Sequence, residues 1–220
     1  MIRRLVVAVV AGVALVHGAI LAAVGVARRR IAPVPITFLP AVQNALAVDD
    51  RMWRGGAPRG TALEALRREG AVTIVDLRRE ATTPASGSGM SHVAIPVVDG
   101  HAPSPPQVAR FLAAADAARG PVFVHCAAGV GRTGSMVGAY RVLRRGVPPA
   151  RALAEMLAVG PPSLEQIVFV AMLRRGSVPS PPAPVVAVSR FVDLPRKLGG
   201  RLWRLLRSLV ANPGVGEGRG

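Results

Sequence analysis

The stretch that most restricts the fold is PVFVHCAAGVGRTGSMVGAYRVLRR, residues 121–145. Its first five residues are a short apolar run of the kind found in a fully buried central strand. Glycines 129, 131 and 134 then turn the chain, and the pattern after them is helical. A strand that passes through such a turn into a helix gathers backbone N–H groups around one point. That arrangement binds a tetrahedral dianion.

The surrounding chain, from about 45 to 176, alternates β-rich runs with helical patterns, as an α/β domain should. The spacing predicts a helix over 62–68 and strands over 71–78 and 92–97. Turn chemistry follows through residue 106, and a second helix runs from about 107 to 118 with Val108, Phe111, Leu112 and Ala115 on one face.

Cys126 is the only cysteine in the chain, which leaves no intrachain disulfide and no multi-cysteine metal site. Alone, a Cys at the end of a buried strand is ordinarily a small hydrophobe. In company with Gly129, Gly131, Arg132 and Thr133 it reads as a reactive thiolate, because a helix N-terminus and a nearby guanidinium favour the ionised sulfur. Arg132 can present a planar fork to two phosphoryl oxygens. Thr133 brings a hydroxyl toward the sulfur, and His125 can orient or acidify the thiol from behind.

HCAAGVGRTG, residues 125–134, resembles the His-Cys-(five residues)-Arg-Ser/Thr signature of the cysteine-dependent protein tyrosine phosphatase superfamily, dual-specificity members included. The resemblance implies an α/β fold with a central, mostly parallel sheet of four to five strands flanked by helices. It implies a nucleophilic Cys126, a phosphate-binding Arg132, and a Thr133 hydroxyl that helps the thiolate leave. Backbone N–H groups of Ala127, Ala128, Gly129, Val130, Gly131 and Arg132 would cradle the phosphoryl group, with no metal and no cofactor.

A general acid is also needed. Asp99, in IPVVDGHAPS, matches the family's acid position upstream of the nucleophile; the alternative is a turn-forming Asp before Gly100. His101 is the substitute candidate, and Asp76 and Arg78 read as strand-end residues that hold loops. MWRGGAP, residues 52–58, resembles an early segment of bacterial and dual-specificity members, with a structural Arg54. PPSLEQIVFVAML, residues 161–173, resembles the later loop and helix in which a Gln positions water. Gln166 takes that place, while Pro162 stands where classical tyrosine phosphatases carry another Gln.

The chain carries a net charge of +16, yet much of the excess sits near its two ends. Residues 5–27 contain no charged side chain and lie between Arg3-Arg4 and Arg28-Arg29-Arg30. This run is long enough to cross a bilayer, so residues 1–30 read as an anchor in preference to a signal peptide. Residues 45–176 form the phosphatase-like domain, and 177–189 read as a Pro-rich linker. Residues 190–210 read as a basic amphipathic helix suited to anionic lipid, and 211–220 as a disordered tail.

The expected function is therefore hydrolysis of phosphotyrosine, with phosphoserine and phosphothreonine also admitted, in proteins. The partners are a phosphorylated protein and a membrane, with the catalytic domain on the cytoplasmic side. A lipid phosphatase and a non-catalytic phosphate-binding module are the competing readings. An RNA-directed activity fits poorly, since the charge is terminal and aromatic residues are only 4%.

Overall fold

The computed structural model describes residues 2–79 and 89–194. The elements run α1 (Ile2–Arg30), β1 (Val34–Pro35), β2 (Leu46–Ala47), β3 (Met52–Gly55), α2 (Thr61–Arg68), β4 (Thr73–Arg78) and β5 (Ser91–Val97). Then come α3 (Pro105–Ala117), β6 (Val122–His125), α4 (Gly131–Leu143), α5 (Pro149–Val159), α6 (Leu164–Met172) and α7 (Ala183–Val192).

The sheet order is β1-β2-β3-β6-β4-β5, and the four strands from β3 to β5 are all parallel. The mostly parallel sheet flanked by helices is thus present. Its count among the described residues reaches six because β1 and β2, two residues each, add antiparallel to the free edge of β3. Strands that short leave no alternation for a sequence reading to find.

Side-chain alternation along the strands divides the core between the two faces of the sheet. Val122 and Val124 of β6 join Met52, Val75, Leu77 and Ile95 beneath Phe111 of α3, Met136 of α4 and Phe169 of α6. Phe123 points the other way, to Ile74, Leu66 of α2 and the segment carrying Ile36, Leu39 and Val42. The second cluster brings residues 36–45 into the domain, which therefore begins earlier than residue 45. α4 is buried nearly all round, as a helix lying between others must be.

Two further elements depart from the expected domain plan. Residues 177–189 include most of α7, whose Ser189 and Val192 are buried. The prolines there do not prevent a helix, because Pro182 is the N-cap and Pro184 falls in the first turn, where a backbone N–H has no intrahelical acceptor. At the other end, α1 docks on the domain: Val24 and Ala27 pack on Leu157 and Ala158 of α5. Arg28 donates from Nε to the Ala158 carbonyl at 3.1 Å and from Nη2 to the Val159 carbonyl at 3.2 Å. A cation at these last carbonyls satisfies acceptors that the helix itself cannot reach. The stretch Val6–Arg30 is long and apolar enough to cross a membrane. The amphipathic helix and tail expected over 190–220 lie outside the described residues from 195 onward.

Because the central strands are parallel, their carboxyl ends share one edge, and the loops that follow β3, β4, β5 and β6 meet there. The register sets Gly55 and Asp76 on either side of His125, so Cys126 emerges at the middle of that edge.

Candidate active site

The loop from Cys126 to Val130 takes its shape from the groups bound to its outside. The Ala127 carbonyl accepts from Ala57 N at 3.1 Å, and the Ala128 carbonyl from Asn44 Nδ2 at 2.8 Å. Arg54 Nη2 donates to the Gly129 carbonyl at 2.5 Å and the Val130 carbonyl at 3.4 Å. Carbonyls held outward turn the peptide N–H groups inward, and Gly129 N already donates to Cys126 Sγ at 3.3 Å. Gly129 sits at φ +75°, and a Cβ there would collide with the Gly55 carbonyl carbon and the Gly56 nitrogen, so only glycine fits. The loop so shaped forms a nest of inward N–H groups at the start of α4.

Arg54 is therefore structural in a specific sense: it supports the loop from beneath. It is 3% exposed, and burial lowers its pKa to about 10, offset in part by the Cys126 sulfur and the Glu155 carboxylate. It stays cationic at neutral pH and adds positive potential under the sulfur.

Arg132 is also buried, with Nη1 donating to the Val97 carbonyl at the end of β5 at 3.3 Å. Its Nε lies 3.3 Å from Asp99 Oδ1, while the Asp99 side chain is 67% exposed. Asp99, Gly100, Cys126, Ala127, Ala128, Val130, Gly131, Arg132, Pro161, Pro162 and Gln166 line one cavity of about 480 Å³. The sulfur, the guanidinium and the carboxylate are thus brought together from two segments, the turn from β6 into α4 and the loop after β5.

His125 and Thr133 stand behind this cavity rather than in its wall. His125 is 2% exposed, and its Nδ1–H donates to its neighbour's carbonyl, Cys126 O, at 3.3 Å. Burial lowers its pKa to about 4, against the opposing pull of Asp76, so the ring is neutral at physiological pH. Its ring thus meets the backbone at Cys126 and, being neutral, brings no positive charge to the sulfur. Thr133 is fully buried, and its hydroxyl has no hydrogen-bond partner among the described residues. Asp76 accepts the Arg78 fork, Nη2 to Oδ2 at 2.7 Å, and the Arg78 backbone N–H at 2.9 Å. Burial alone would raise the Asp76 pKa, but these donors hold it below the usual range.

Gln166 lines the cavity as expected, but backbone groups engage both ends of its carboxamide. Oε1 accepts from Ser163 N at 3.1 Å, and Nε2 donates to the His101 carbonyl at 3.1 Å. With Gln166 N donating to Ser163 Oγ at 3.2 Å this is a capping box at the start of α6. Ser163 Oγ also donates to the Gly100 carbonyl at 2.6 Å, and the buried Glu165 carboxylate accepts from Ala102 N at 3.0 Å. The loop after Asp99 is therefore fastened to the first turn of α6. Sequence reading missed Asn44, Ser163 and Glu165. Asn44 could have been suspected as a residue tolerant of the left-handed conformation, which it adopts at φ 53°.

Residues 41–171 match the family described as DSP-PTPase phosphatase fused to NAD+ Kinase, more than half of the 220-residue chain. A probable chloroplastic NAD kinase 2 of Oryza sativa subsp. japonica is 34% identical over 120 residues, 49% of this chain and 12% of that protein. The dual specificity protein phosphatase CDC14AB of Danio rerio is 33% identical over 100 residues, 44% of this chain and 16% of that protein. The chain thus spans less than a fifth of the length of these relatives. Among solved structures, the core catalytic domain of the PP-IP phosphatase SIW14 from S. cerevisiae has a TM-score of 0.52 at 18% identity. It covers 64% of this chain and 88% of that one, a likeness of fold.

Proposed function

Because the chain belongs to the DSP-PTPase family described as fused to NAD+ kinase, we propose that it hydrolyses phosphate monoesters through a phosphocysteine, with phosphotyrosyl proteins as the main substrates and phosphoserine and phosphothreonine also admitted. The observation that carries this reading is the single cavity shared by Cys126, Arg132 and Asp99.

In the first step the Cys126 thiolate attacks phosphorus, forming the S–P bond as the ester P–O bond breaks. Arg132 and the inward N–H groups hold the three equatorial oxygens, where charge spreads in the transition state. Asp99 gives its proton to the departing oxygen and becomes a carboxylate. In the second step that carboxylate takes a proton from water as the water oxygen attacks phosphorus and the S–P bond breaks. Inorganic phosphate leaves, the thiolate is restored and Asp99 is again protonated. The buried Thr133 hydroxyl is the donor suited to the departing thiolate, and one lone pair of Gln166 Oε1 remains to orient the water.

Among the described residues Arg132 is the only cationic side chain in the cavity wall, which suits one phosphoryl group better than a polyphosphorylated headgroup. Among the described residues no aromatic side chain deepens the wall, which favours a shallow site open to all three phosphoamino acids. A membrane-lipid phosphate is the second reading, favoured by the docking of α1 on the domain. In either case α1 would act as a single-pass anchor with the domain in the cytoplasm, which a topology reporter after Arg30 would test.

The test is phosphate release by the full chain in detergent micelles from phosphotyrosyl and phosphoseryl peptides and from a phosphoinositide, with Cys126→Ser beside it under reducing conditions. Peptide turnover abolished in C126S supports the proposal. Turnover of the lipid alone overturns the protein substrate, and equal turnover by C126S overturns the phosphocysteine.

A further inference from the structure

Asp99 is mostly exposed, yet each of the three residues after it is tied down, Gly100 by Ser163, His101 by Gln166 and Ala102 by Glu165. The Ala102 tie differs from the others because it is charged and buried. Glu165 Oε1 accepts from Ala102 N at 3.0 Å, and its side chain is 5% exposed. A carboxylate in that position needs a compensating cation. The partner comes from α7: Arg190 Nε lies 3.6 Å from Glu165 Oε2, and Arg190 Nη2 donates to His101 Nδ1 at 3.3 Å. The same helix turn holds the base of the arrangement, where Glu165 N donates to the buried Ser189 Oγ at 2.9 Å.

One arginine of α7 therefore touches both the carboxylate that fixes Ala102 and the ring of His101, two residues from Asp99. Resting on the phosphatase reading above, we propose that Glu165 and Arg190 are positioning residues for Asp99, through which α7 sets where the acid loop stands over Cys126. Neither residue lines the cavity. Their effect falls on the protonation of the leaving group and not on phosphate binding, which Arg132 and the loop N–H groups perform. The last residues of α7 open the stretch over 190–210 that is basic in sequence.

The experiment measures kcat and KM of the full chain with aryl phosphates whose leaving phenols differ in acidity. Arg190→Ala is expected to lower kcat about tenfold for the least acidic phenol, with KM within about twofold, since misplacing an acid costs rate and not affinity. The loss shrinks for the most acidic phenol, and Arg190→Lys recovers part of it. In an Asp99→Asn background, Arg190→Ala has no further effect. An unchanged kcat in R190A, or the same loss added on top of D99N, would overturn the inference. Should R190A not fold, Glu165→Gln carries the same expectations, because it removes the charge and keeps an oxygen for Ala102 N–H. A wild-type chain that releases no phosphate from any substrate would instead remove the phosphatase reading itself.

Discussion

The loop over 126–130 and the loop over 99–102 face each other across one cavity, and they are built by opposite means. The first is fixed from within the sheet: four consecutive carbonyls are bound from outside, Gly129 fits only as glycine, and Cys126 and Arg132 are each 3% exposed. The second is fastened from one side only, with Asp99 left open to solvent. Anion binding needs donors that do not reorganise, so rigidity serves the first loop. An acid that must meet different leaving groups is better carried on a segment held at its base.

The largest test of this contrast is chemical. Asp99→Asn should lower kcat on the order of 10²- to 10³-fold for a phosphotyrosyl peptide, with KM little changed. A comparable rise in KM would mean that the acid loop shapes binding as well.

The backbone gives the next test, since both loops contain a glycine in the left-handed region. Gly129→Ala adds a collision with β3 to its dihedral strain, and should cost on the order of 3 kcal/mol and much of the activity. Gly100, at φ +79°, carries a dihedral cost of about 1 kcal/mol. Chemical denaturation of the two variants compares them directly. Equal losses would mean that the phosphate loop yields as readily as the acid loop.

Acid should also weaken the first loop before the second. His125 is pushed from 6.5 to about 4 by burial, so between those values the unfolded chain takes up a proton that the folded chain does not. The resulting loss of stability is absent above pH 6.5 and grows by about 1.4 kcal/mol per unit as pH falls, reaching on the order of 3 kcal/mol near pH 4. Asp76, held low by Arg78, adds a loss of the same sign at more acid pH. Unfolding free energies across that range should slope less in His125→Asn. The smallest expected effect is that of Asn44→Ala, which frees the Ala128 carbonyl: about 1 kcal/mol of stability and a few-fold drop in kcat/KM.

The same contrast explains how much was legible in the sequence. The phosphate loop is local: strand, glycine turn and helix follow one another within residues 121–145, and each leaves its own compositional mark. Asp99 stood out by its resemblance to the family's acid position before Cys126, and it lines the cavity. The fastening of its loop could not, because Ser163, Glu165 and Gln166 lie more than sixty residues away in sequence. Arg190 was further hidden by the prolines before it, which read as a linker although they occupy helix-starting positions. The neutrality of His125 depends on burial, and no pattern of neighbouring residues reveals that.

Arg28 grips the last carbonyls of α5 at Ala158 and Val159, and Pro161 of the cavity wall follows two residues after Val159. A leash of loose residues would let a catalytic head sweep a hemisphere about its attachment point. A gripped helix gives it one height and one heading. If α1 lies in a bilayer and the proposed protein substrate holds, a phosphorylated side chain meets the site only if its own flexible segment brings it to that height. The reach that selects among partners then belongs to the substrate and not to the enzyme.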